Sequence, residues 1–393
     1  MIGISKLYLG TIEPSDVLRY GRRSSDLPSH LLQFSEDKSP VVILNITRRC
    51  NLRCVHCYAD AGGNAGSGEL TTAQWKHVLE DLASFGCPVV LFSGGEPLMH
   101  PDILELARYA VGLGMRAVIS SNGTMISSVM AGELSDIGLS YVGISLDGNR
   151  AIHDRFRGVQ GAFDRALAGL RHARDAGIKT GIRFTMTARN VGDIPAVLDI
   201  MEREAIPRVC FYHLVTTGRG GGLVQEALPH AVTREAVDLI IGQTADMHRR
   251  GFPVEVLTVD NHCDGPYLYL RMLKENPARA AEVMRLLTFN GGNNSGVGIA
   301  AVNWNGEVYP DQFWRHRVLG NVLERRFGEI WTDPANEFLM RLKEKKNHVT
   351  GRCAVCRFLD VCGGNFRARA EAATGDPWAP DPACYLTDEE IST

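Results

Sequence analysis

The sequence lacks any apolar run that approaches the roughly 18 residues needed to cross a bilayer. Its start, MIGISKLYLG, also lacks the basic residues, the long apolar segment and the cleavage site of a secretory signal. There is no excess of positive charge either, because 42 Lys and Arg residues are balanced by 45 Asp and Glu residues, for a net charge of −3. We therefore expect a cytoplasmic protein that binds neither a membrane nor a nucleic-acid backbone.

Internal repeats and low-complexity tracts are also missing. The chain has 393 residues, of which 45% are apolar and 22% are charged, as is ordinary for a globular protein. This length is too great for one small core and favours a large α/β domain followed by a smaller module.

What the sequence does contain is a regular alternation of short apolar β-type runs with helical patterns. The predicted strands span 41–46, 88–92, 116–120, 141–145, 181–186 and 209–214, and the predicted helices include 72–85, 103–113, 162–176 and 194–203. Strand followed by helix predicts a parallel sheet with right-handed crossovers, and six such units predict an α/β fold, a partial (β/α)6 TIM-like barrel.

The pattern changes beyond the sixth predicted strand. Two helical stretches at about 233–250 and 266–288 are followed by a predicted hairpin at 299–309 and a cysteine-rich tail. We divide the chain into an N-terminal extension (1–40), the partial barrel (41–225), a helical connecting region (226–298) and a C-terminal cysteine-rich domain (299–393).

Seven of the ten cysteines fall in two clusters, which in a reducing compartment indicates metal ligands. The first, CNLRCVHC, places Cys50, Cys54 and Cys57 directly after a predicted strand. Three thiolates can bind three irons of a four-iron cluster and leave the fourth iron open to a ligand. A structural zinc site is the alternative, although zinc normally has four ligands.

The first cluster resembles the cysteine motif of the radical SAM superfamily, whose open iron binds S-adenosylmethionine (SAM) and whose cluster releases a 5′-deoxyadenosyl radical from it. Further motifs of that superfamily follow in order, each where a predicted strand ends. The resemblance implies that SAM is contacted by His56 near the adenine, by the GGEP element (Gly94, Gly95, Glu96, Pro97) at the amine, by Ser121 and Asn122 beside the ribose, by Ser145 and Asp147, and by Arg183 at the carboxylate. Paired glycines allow close backbone approach and a carboxylate suits an ammonium, so we expect Glu96 to face the ligand. Loops at the carboxyl ends of parallel strands share one mouth, so these residues are expected in one site.

The second cluster, Cys353, Cys356, Cys362 and Cys384, has enough thiolates for a closed four-iron cluster or for one zinc ion. Its spacing resembles the shortened auxiliary-cluster domain (SPASM/Twitch type) that follows many radical SAM barrels, which implies one auxiliary [4Fe-4S] cluster. Asp311 stands where many relatives have a cysteine and is either an unusual ligand or a solvated turn residue. The remaining cysteines, Cys87, Cys210 and Cys263, are interpreted as structural.

Three segments, at 27–35, in TRRCNLRCVHCYADA and in FYHLVTTGRG, resemble the tetrapyrrole-modifying radical SAM enzymes. That resemblance implies removal of the two acetate side chains of 12,18-didecarboxysirohaem to give iron-coproporphyrin III, in alternative haem biosynthesis. Replacement of propionates during synthesis of the dioxo-haem of nitrite reductase is the alternative. Peptide maturation is less favoured, because 49 residues ahead of Cys50 are too few for a leader-binding module.

An iron tetrapyrrole with several carboxylates requires cations at the mouth of the barrel, since arginine binds carboxylates in a bidentate fork. Arg219 is the first candidate, followed by Arg155 and Arg157. His213 is a candidate iron ligand or proton donor, although a histidine near a strand end is often only a hydrogen-bonded structural residue. An external low-potential electron donor is also implied. The non-enzyme alternative, an electron carrier with two clusters, leaves the GGEP and SSNG elements unexplained.

Overall fold

The structure, a computed structural model, describes residues 1–11, 39–63 and 68–392. One sheet organises this part of the chain, in the order β1-β8-β7-β6-β5-β4-β3-β2-β9-β10-β11. Its strands are β1 (Ile2–Gly3), β2 (Val41–Asn45), β3 (Val89–Ser93), β4 (Arg116–Ser121), β5 (Tyr141–Ser145), β6 (Thr180–Met186), β7 (Arg208–His213), β8 (Glu255–Val259), β9 (Ile299–Asn303), β10 (Glu307–Tyr309) and β11 (Gly320–Asn321). The segment at 27–35 lies outside the described residues.

Strands β2 to β8 are parallel to one another, and β9 adds to β2 in the same direction. The edges of the sheet are the antiparallel strand β1 and the antiparallel pair β10 and β11. The six predicted strands and the α/β class are confirmed. The sequence analysis predicted only helices between 226 and 298, and β8, which joins the barrel sheet beside β7, was missed.

Helices connect the parallel strands and cover the outer face of the sheet. They are α1 (Thr72–Ser84), α2 (Ile103–Gly112), α3 (Ser128–Asp136), α4 (Arg150–Arg157), α5 (Ala162–Asp175), α6 (Ile194–Arg203) and α7 (His230–Arg249). In α1, a capping box formed by Thr71 and Gln74 provides hydrogen-bond acceptors for backbone N–H groups at the start of the helix. Four residues at helical spacing, Trp75, Val78, Leu79 and Leu82, are then buried against the sheet.

After β8 the chain forms α8 (Asp264–Glu275) and α9 (Pro277–Asn290), which the sequence analysis read as one helix. The break falls at Asn276, whose side chain accepts a hydrogen bond from the backbone N–H of Arg279, and Pro277 occupies the first turn of α9. The predicted hairpin of β9 and β10 is confirmed. Short helices follow: α10 (Phe327–Trp331), α11 (Glu337–Lys343), α12 (Gly351–Ala354), α13 (Leu359–Cys362), α14 (Arg367–Thr374) and α15 (Asp388–Ile391). In the described ranges, no helix combines the length and apolar character that a membrane span requires.

Candidate active site

The loops at the carboxyl ends of the parallel strands meet around a cavity of about 150 Å³. Of the residues selected from the sequence, those that line it are Cys50, Cys54, His56, Cys57, Gly94, Gly95, Ser121, Asn122, Ser145, Arg157, Arg183, His213 and Arg219. Glu96, Pro97 and Asp147 are buried outside its lining. The structure therefore brings most of the residues expected in one site to one mouth and leaves Glu96, Pro97 and Asp147 behind it.

The cysteine loop is fixed by backbone hydrogen bonds to two other parts of the chain. The C-terminal end of α4 accepts two of them, from Arg53 N–H to Arg157 O (3.0 Å) and from Val55 N–H to Phe156 O (3.0 Å). Arg219 provides the third support, because its Nε donates to Cys54 O (3.0 Å). The loop is therefore supported by both α4 and the segment after β7.

Arg157 has a role at the cysteine loop that sequence reasoning missed. It is buried, forms an ion pair with Asp147, and donates from Nη1 to Cys54 Sγ across 3.4 Å. Burial raises the pKa of the Cys54 thiol, and the nearby Arg157 charge opposes that increase. A cation at this point favours a thiolate, which is the form that binds iron.

The paired glycines of the GGEP element make close contact with the cysteine loop. A Cβ on Gly94, which has φ +127°, would lie 2.5 Å from Thr47 O, and a Cβ on Gly95 would lie 2.0 Å from Arg49 O. Gly95 N–H donates to Thr47 O (2.7 Å), and Glu96 N–H donates to Arg49 O (2.7 Å). The glycines are thus required where the loop after β3 approaches the loop after β2.

The Glu96 carboxylate does not face the cavity, contrary to the expectation from the sequence. It accepts hydrogen bonds from Ser121 Oγ (2.7 Å), Asn122 N–H (2.8 Å) and Leu98 N–H (3.3 Å), and it is fully buried. Burial raises the pKa of Glu96 to about 7, and these hydrogen bonds oppose the increase. Glu96 therefore positions the loop after β4 and leaves only the backbone of the element at the cavity.

Two polar groups at the cavity have no strong partner in the described part of the chain. Arg183 forms no ion pair there and lies over the ring of Tyr212, 4.7 Å from its centroid. His56 stacks on Phe156 with ring centroids 4.5 Å apart, and its buried Nδ1 has no hydrogen-bond partner. Both are where a polar ligand is expected to complete the site.

Arg219 and His213, two of the residues proposed from the sequence for the substrate, are engaged elsewhere. Besides Cys54 O, Arg219 donates to Ala61 O (2.7 Å) and Asp60 Oδ1 (3.0 Å). His213 is buried, with Nε2 2.9 Å from Asp264 Oδ2 and Nδ1 3.5 Å from Asn261 Nδ2. These contacts correspond to the hydrogen-bonded structural role that was weighed against iron ligation. Arg155, the other arginine candidate on α4, is exposed.

The second group of cysteines also converges. Cys353, Cys356, Cys362 and Cys384 line one small cavity of about 20 Å³. The fully buried Cys263 lies next to them, and a hydrogen bond from it is the largest cause that lowers the pKa of Cys384 to about 7. Cys263, interpreted as structural, therefore lies beside Cys384, a proximity that the sequence did not reveal.

Asp311 lies in a turn, as one of its two interpretations required, but its side chain is buried and not exposed at the protein surface. Its Oδ1 accepts hydrogen bonds from the backbone N–H groups of Phe313 (2.8 Å) and Trp314 (3.2 Å), and Ser295 Oγ donates to Oδ2 (2.5 Å). These three donors bind both oxygens of the carboxylate.

Comparisons with known proteins agree with this geometry. Residues 44–201 match the model of the radical SAM superfamily, and residues 295–357 match the SPASM iron-sulfur cluster-binding domain. The chain is 61% identical to "Fe-coproporphyrin III synthase" of Methanosarcina barkeri, in an alignment that covers 100% of this chain and 99% of the relative. The chain belongs to the radical SAM superfamily. A second relative, "Pre-heme d1 synthase" of Dinoroseobacter shibae, is 43% identical over 90% of this chain and 88% of its own length.

Among solved structures, SAM-bound SuiB of Streptococcus suis matches with a TM-score of 0.69, over 88% of this chain and 77% of that one. At 18% identity this likeness shows the shared fold alone. As a radical SAM enzyme, the protein uses a [4Fe-4S] cluster and SAM, and its SPASM domain adds an auxiliary iron-sulfur cluster.

Proposed function

We propose that this radical SAM enzyme removes the two acetate side chains of 12,18-didecarboxysirohaem to give iron-coproporphyrin III in alternative haem biosynthesis. The observation that carries the proposal is the 61% identity, along the whole chain, to a synthase named for that product. The relative named for pre-haem d1 is less similar, at 43% identity, and propionate replacement is therefore the second candidate.

Cys50, Cys54 and Cys57 would hold the cluster that binds SAM. Their fit is supported by their convergence on one cavity and by the Arg157 guanidinium beside Cys54. When bound there, the cluster and SAM supply a 5′-deoxyadenosyl radical that abstracts hydrogen from the substrate. Cys353, Cys356, Cys362 and Cys384 would hold the auxiliary cluster, as their shared small cavity suggests.

The other cavity residues orient SAM. Arg183 would pair with its carboxylate, because this guanidinium borders the cavity without an ion pair in the described residues. His56 would meet the adenine with its free Nδ1. The backbone at Gly94 and Gly95 would approach the amine, and Ser121, Asn122 and Ser145 would border the ribose, while Glu96, Pro97 and Asp147 act from behind the cavity.

Arg219 and His213 are proposed as positioning residues. Arg219 would keep the cysteine loop in place through its bonds to Cys54 O and Ala61 O, and His213 would link β7 to α8 through Asp264. We further propose that the radical-generating domain extends to the end of β8 and that the auxiliary-cluster domain begins at about residue 299. We also propose that the protein is cytoplasmic and receives electrons from an external low-potential donor.

The test is anaerobic reconstitution with iron and sulfide, followed by incubation with SAM, dithionite and 12,18-didecarboxysirohaem. Mass spectrometry is expected to show loss of two acetate equivalents together with formation of 5′-deoxyadenosine. Insertion of oxygen at lost propionates would support the second candidate. An unchanged tetrapyrrole in the presence of 5′-deoxyadenosine would contradict both.

A further inference from the structure

A second cavity of about 200 Å³ lies next to the first one, on the inner face of the parallel strands. The two cavities share six lining residues: Ile43, Leu91, Arg183, Tyr212, Asp260 and Gln312. A molecule in the second cavity would therefore be adjacent to the site where the radical is formed. None of the motifs selected from the sequence explains this cavity.

One part of the cavity wall is apolar and another part carries cations. Side chains from the middle and start of the strands form an apolar wall, which includes Val41, Val89, Val118 and Ile299. Three cations, Arg116, Lys179 and Arg208, lie at or beside the amino-terminal ends of β4, β6 and β7. Such walls suit a flat apolar molecule that carries carboxylates at its edge.

Among the described residues, the pairing of Arg116 and Arg208 is incomplete. Glu255 is 3.2 Å from Lys179 Nζ and 3.6 Å from Arg208 Nη1. Arg116 forms no ion pair in the part of the chain that the structure describes, and the buried Nε of Arg208 has no hydrogen-bond partner. The acidic groups that line the cavity, Asp260 and Asp311, follow β8 and β10 at its opposite end. The amino-terminal end of the cavity is therefore suited to an anionic ligand.

His262 faces the same cavity after the end of β8, with 6% of its surface exposed. Its backbone N–H donates to Asn365 Oδ1 (2.5 Å), but its ring makes no hydrogen bond within the described residues, where the buried Nδ1 has no partner. Burial lowers the pKa of His262 well below its usual range, so the ring is neutral and keeps a free lone pair. A buried imidazole without a partner indicates a missing ligand.

His213 provides the contrast. One tautomer, with a proton on Nε2, donates to Asp264 and accepts from Asn261 at Nδ1, so that both ring nitrogens are used. In this state the lone pair on Nδ1 is engaged by Asn261. The two histidines, near the ends of neighbouring strands, are thus chemically different.

We propose that the second cavity binds the iron tetrapyrrole, with His262 as the axial ligand of the substrate iron and Arg116 and Arg208 as partners of its carboxylates. This inference rests on the proposed function. It assigns the substrate to the inner face of the barrel, next to Arg183 and Tyr212, and it transfers the role of iron ligand from His213 to His262.

The experiment uses the full-length, cluster-loaded protein and two probes, ferric iron-coproporphyrin III and metal-free coproporphyrin III. Electronic and electron paramagnetic resonance spectra of the wild type with the ferric probe are expected to show histidine ligation. His262→Ala should lose that signature and bind the ferric probe about tenfold or more weakly, and added imidazole should restore the spectrum. His262→Met should give a different axial-ligand spectrum, and His213→Gln should still show histidine ligation, because His262 is retained.

Metal-free coproporphyrin III separates iron ligation from carboxylate binding and reports on folding. Its affinity should be equal for the wild type and His262→Ala, but about tenfold weaker for Arg116→Gln. The control is Arg108→Gln, an exposed arginine on α2, which should bind like the wild type. An unaltered ferric spectrum in His262→Ala, or no binding of either probe to the wild type, would overturn the inference. Deacetylation by the wild type would then still support the proposed function, whereas an unchanged didecarboxysirohaem would count against that function itself.

Discussion

Arg157 and Cys54 are 103 residues apart in the sequence, and the guanidinium Nη1 of one lies 3.4 Å from the Sγ of the other. The same guanidinium pairs with Asp147, which is completely buried and accepts a hydrogen bond from Thr185 N–H (3.1 Å). Loops from two different strands and the end of α4 therefore meet at one cation beside the proposed cluster.

Removal of this cation should make the radical SAM cluster harder to reduce. A positive charge and a hydrogen bond at a cluster sulfur stabilise the reduced, more negative state. Arg157→Gln is expected to shift the potential to a more negative value and to slow 5′-deoxyadenosine formation about 10- to 100-fold. Redox titration followed by electron paramagnetic resonance measures the shift. Arg157→Lys should have a reduction potential between those of the wild type and Arg157→Gln. Arg155→Gln, at an exposed position of α4, should match the wild type. Equal potentials for all four proteins would contradict the assignment.

The approach of Gly95 to the cysteine loop leads to a second prediction. In Gly95→Ala the new methyl group would lie 2.0 Å from the backbone oxygen of Arg49, so the loop must move. We expect the reconstituted variant to lose about four iron atoms per chain and all SAM cleavage, while the auxiliary cluster remains. Iron analysis and Mössbauer spectra measure both. The control, Gly112→Ala in α2, adds a methyl group with no atom within 4 Å and should keep the full iron content; an unchanged iron content in Gly95→Ala would show that the contact is unimportant.

These two contacts also show how far sequence reasoning extends in this protein. Apolar runs and turn residues were enough to locate six parallel strands, and the order of motifs at strand ends was enough to predict a shared cavity. The sequence did not reveal that the Glu96 carboxylate turns away from the cavity toward Ser121, because that choice depends on packing between neighbouring loops. Strand β8 was missed for a similar reason: it begins with Glu255, whose burial is compensated by Lys179, directly before β6, and by Arg208 of β7.

Cysteine substitutions should separate the two clusters. Cys54→Ala is expected to abolish 5′-deoxyadenosine formation, because it removes one of three ligands of the cluster that binds SAM. Cys384→Ala should retain SAM cleavage but lose the auxiliary cluster, which is measured by iron content and by the Mössbauer signal. Cys87→Ala, at a buried position outside both groups, is the control and should keep both clusters. If Cys384→Ala retained its full iron content, another ligand would have to be assigned, and the adjacent Cys263 would be tested next.

Glu96 predicts a pH dependence of stability. Its pKa is raised to about 7 by burial, above the usual value of 4.5, so the folded state holds this proton more tightly than the unfolded state. The contribution of the group to stability is therefore fully present below about pH 4.5 and is lost as the pH rises through about 7, a change of about 3 kcal/mol. Thermal unfolding between pH 5 and pH 8 should show a decline that is smaller in Glu96→Gln. Parallel curves for the two proteins would contradict the raised pKa.

The ion pair of Arg369 and Asp381 predicts how the auxiliary cysteines are held. Arg369 Nε and Nη2 lie 2.9 and 2.8 Å from the two oxygens of Asp381, which also accept hydrogen bonds from the N–H groups of Phe366 (2.9 Å) and Ala383 (3.0 Å). Asp381 therefore fixes the backbone directly before Cys384. Because both partners are buried, Arg369→Gln leaves a carboxylate without its cation and should destabilise the fold by about 3 to 5 kcal/mol. The same variant should release auxiliary iron at a lower denaturant concentration than the wild type, whereas Arg341→Gln, at a partly exposed arginine of α11, should not. Simultaneous removal of both charges in Arg369→Met/Asp381→Leu should lower the free energy of unfolding by less than Arg369→Gln alone. A larger loss of stability in the double variant would show that the hydrogen bonds of Asp381 to the backbone, and not the ion pair, hold this segment.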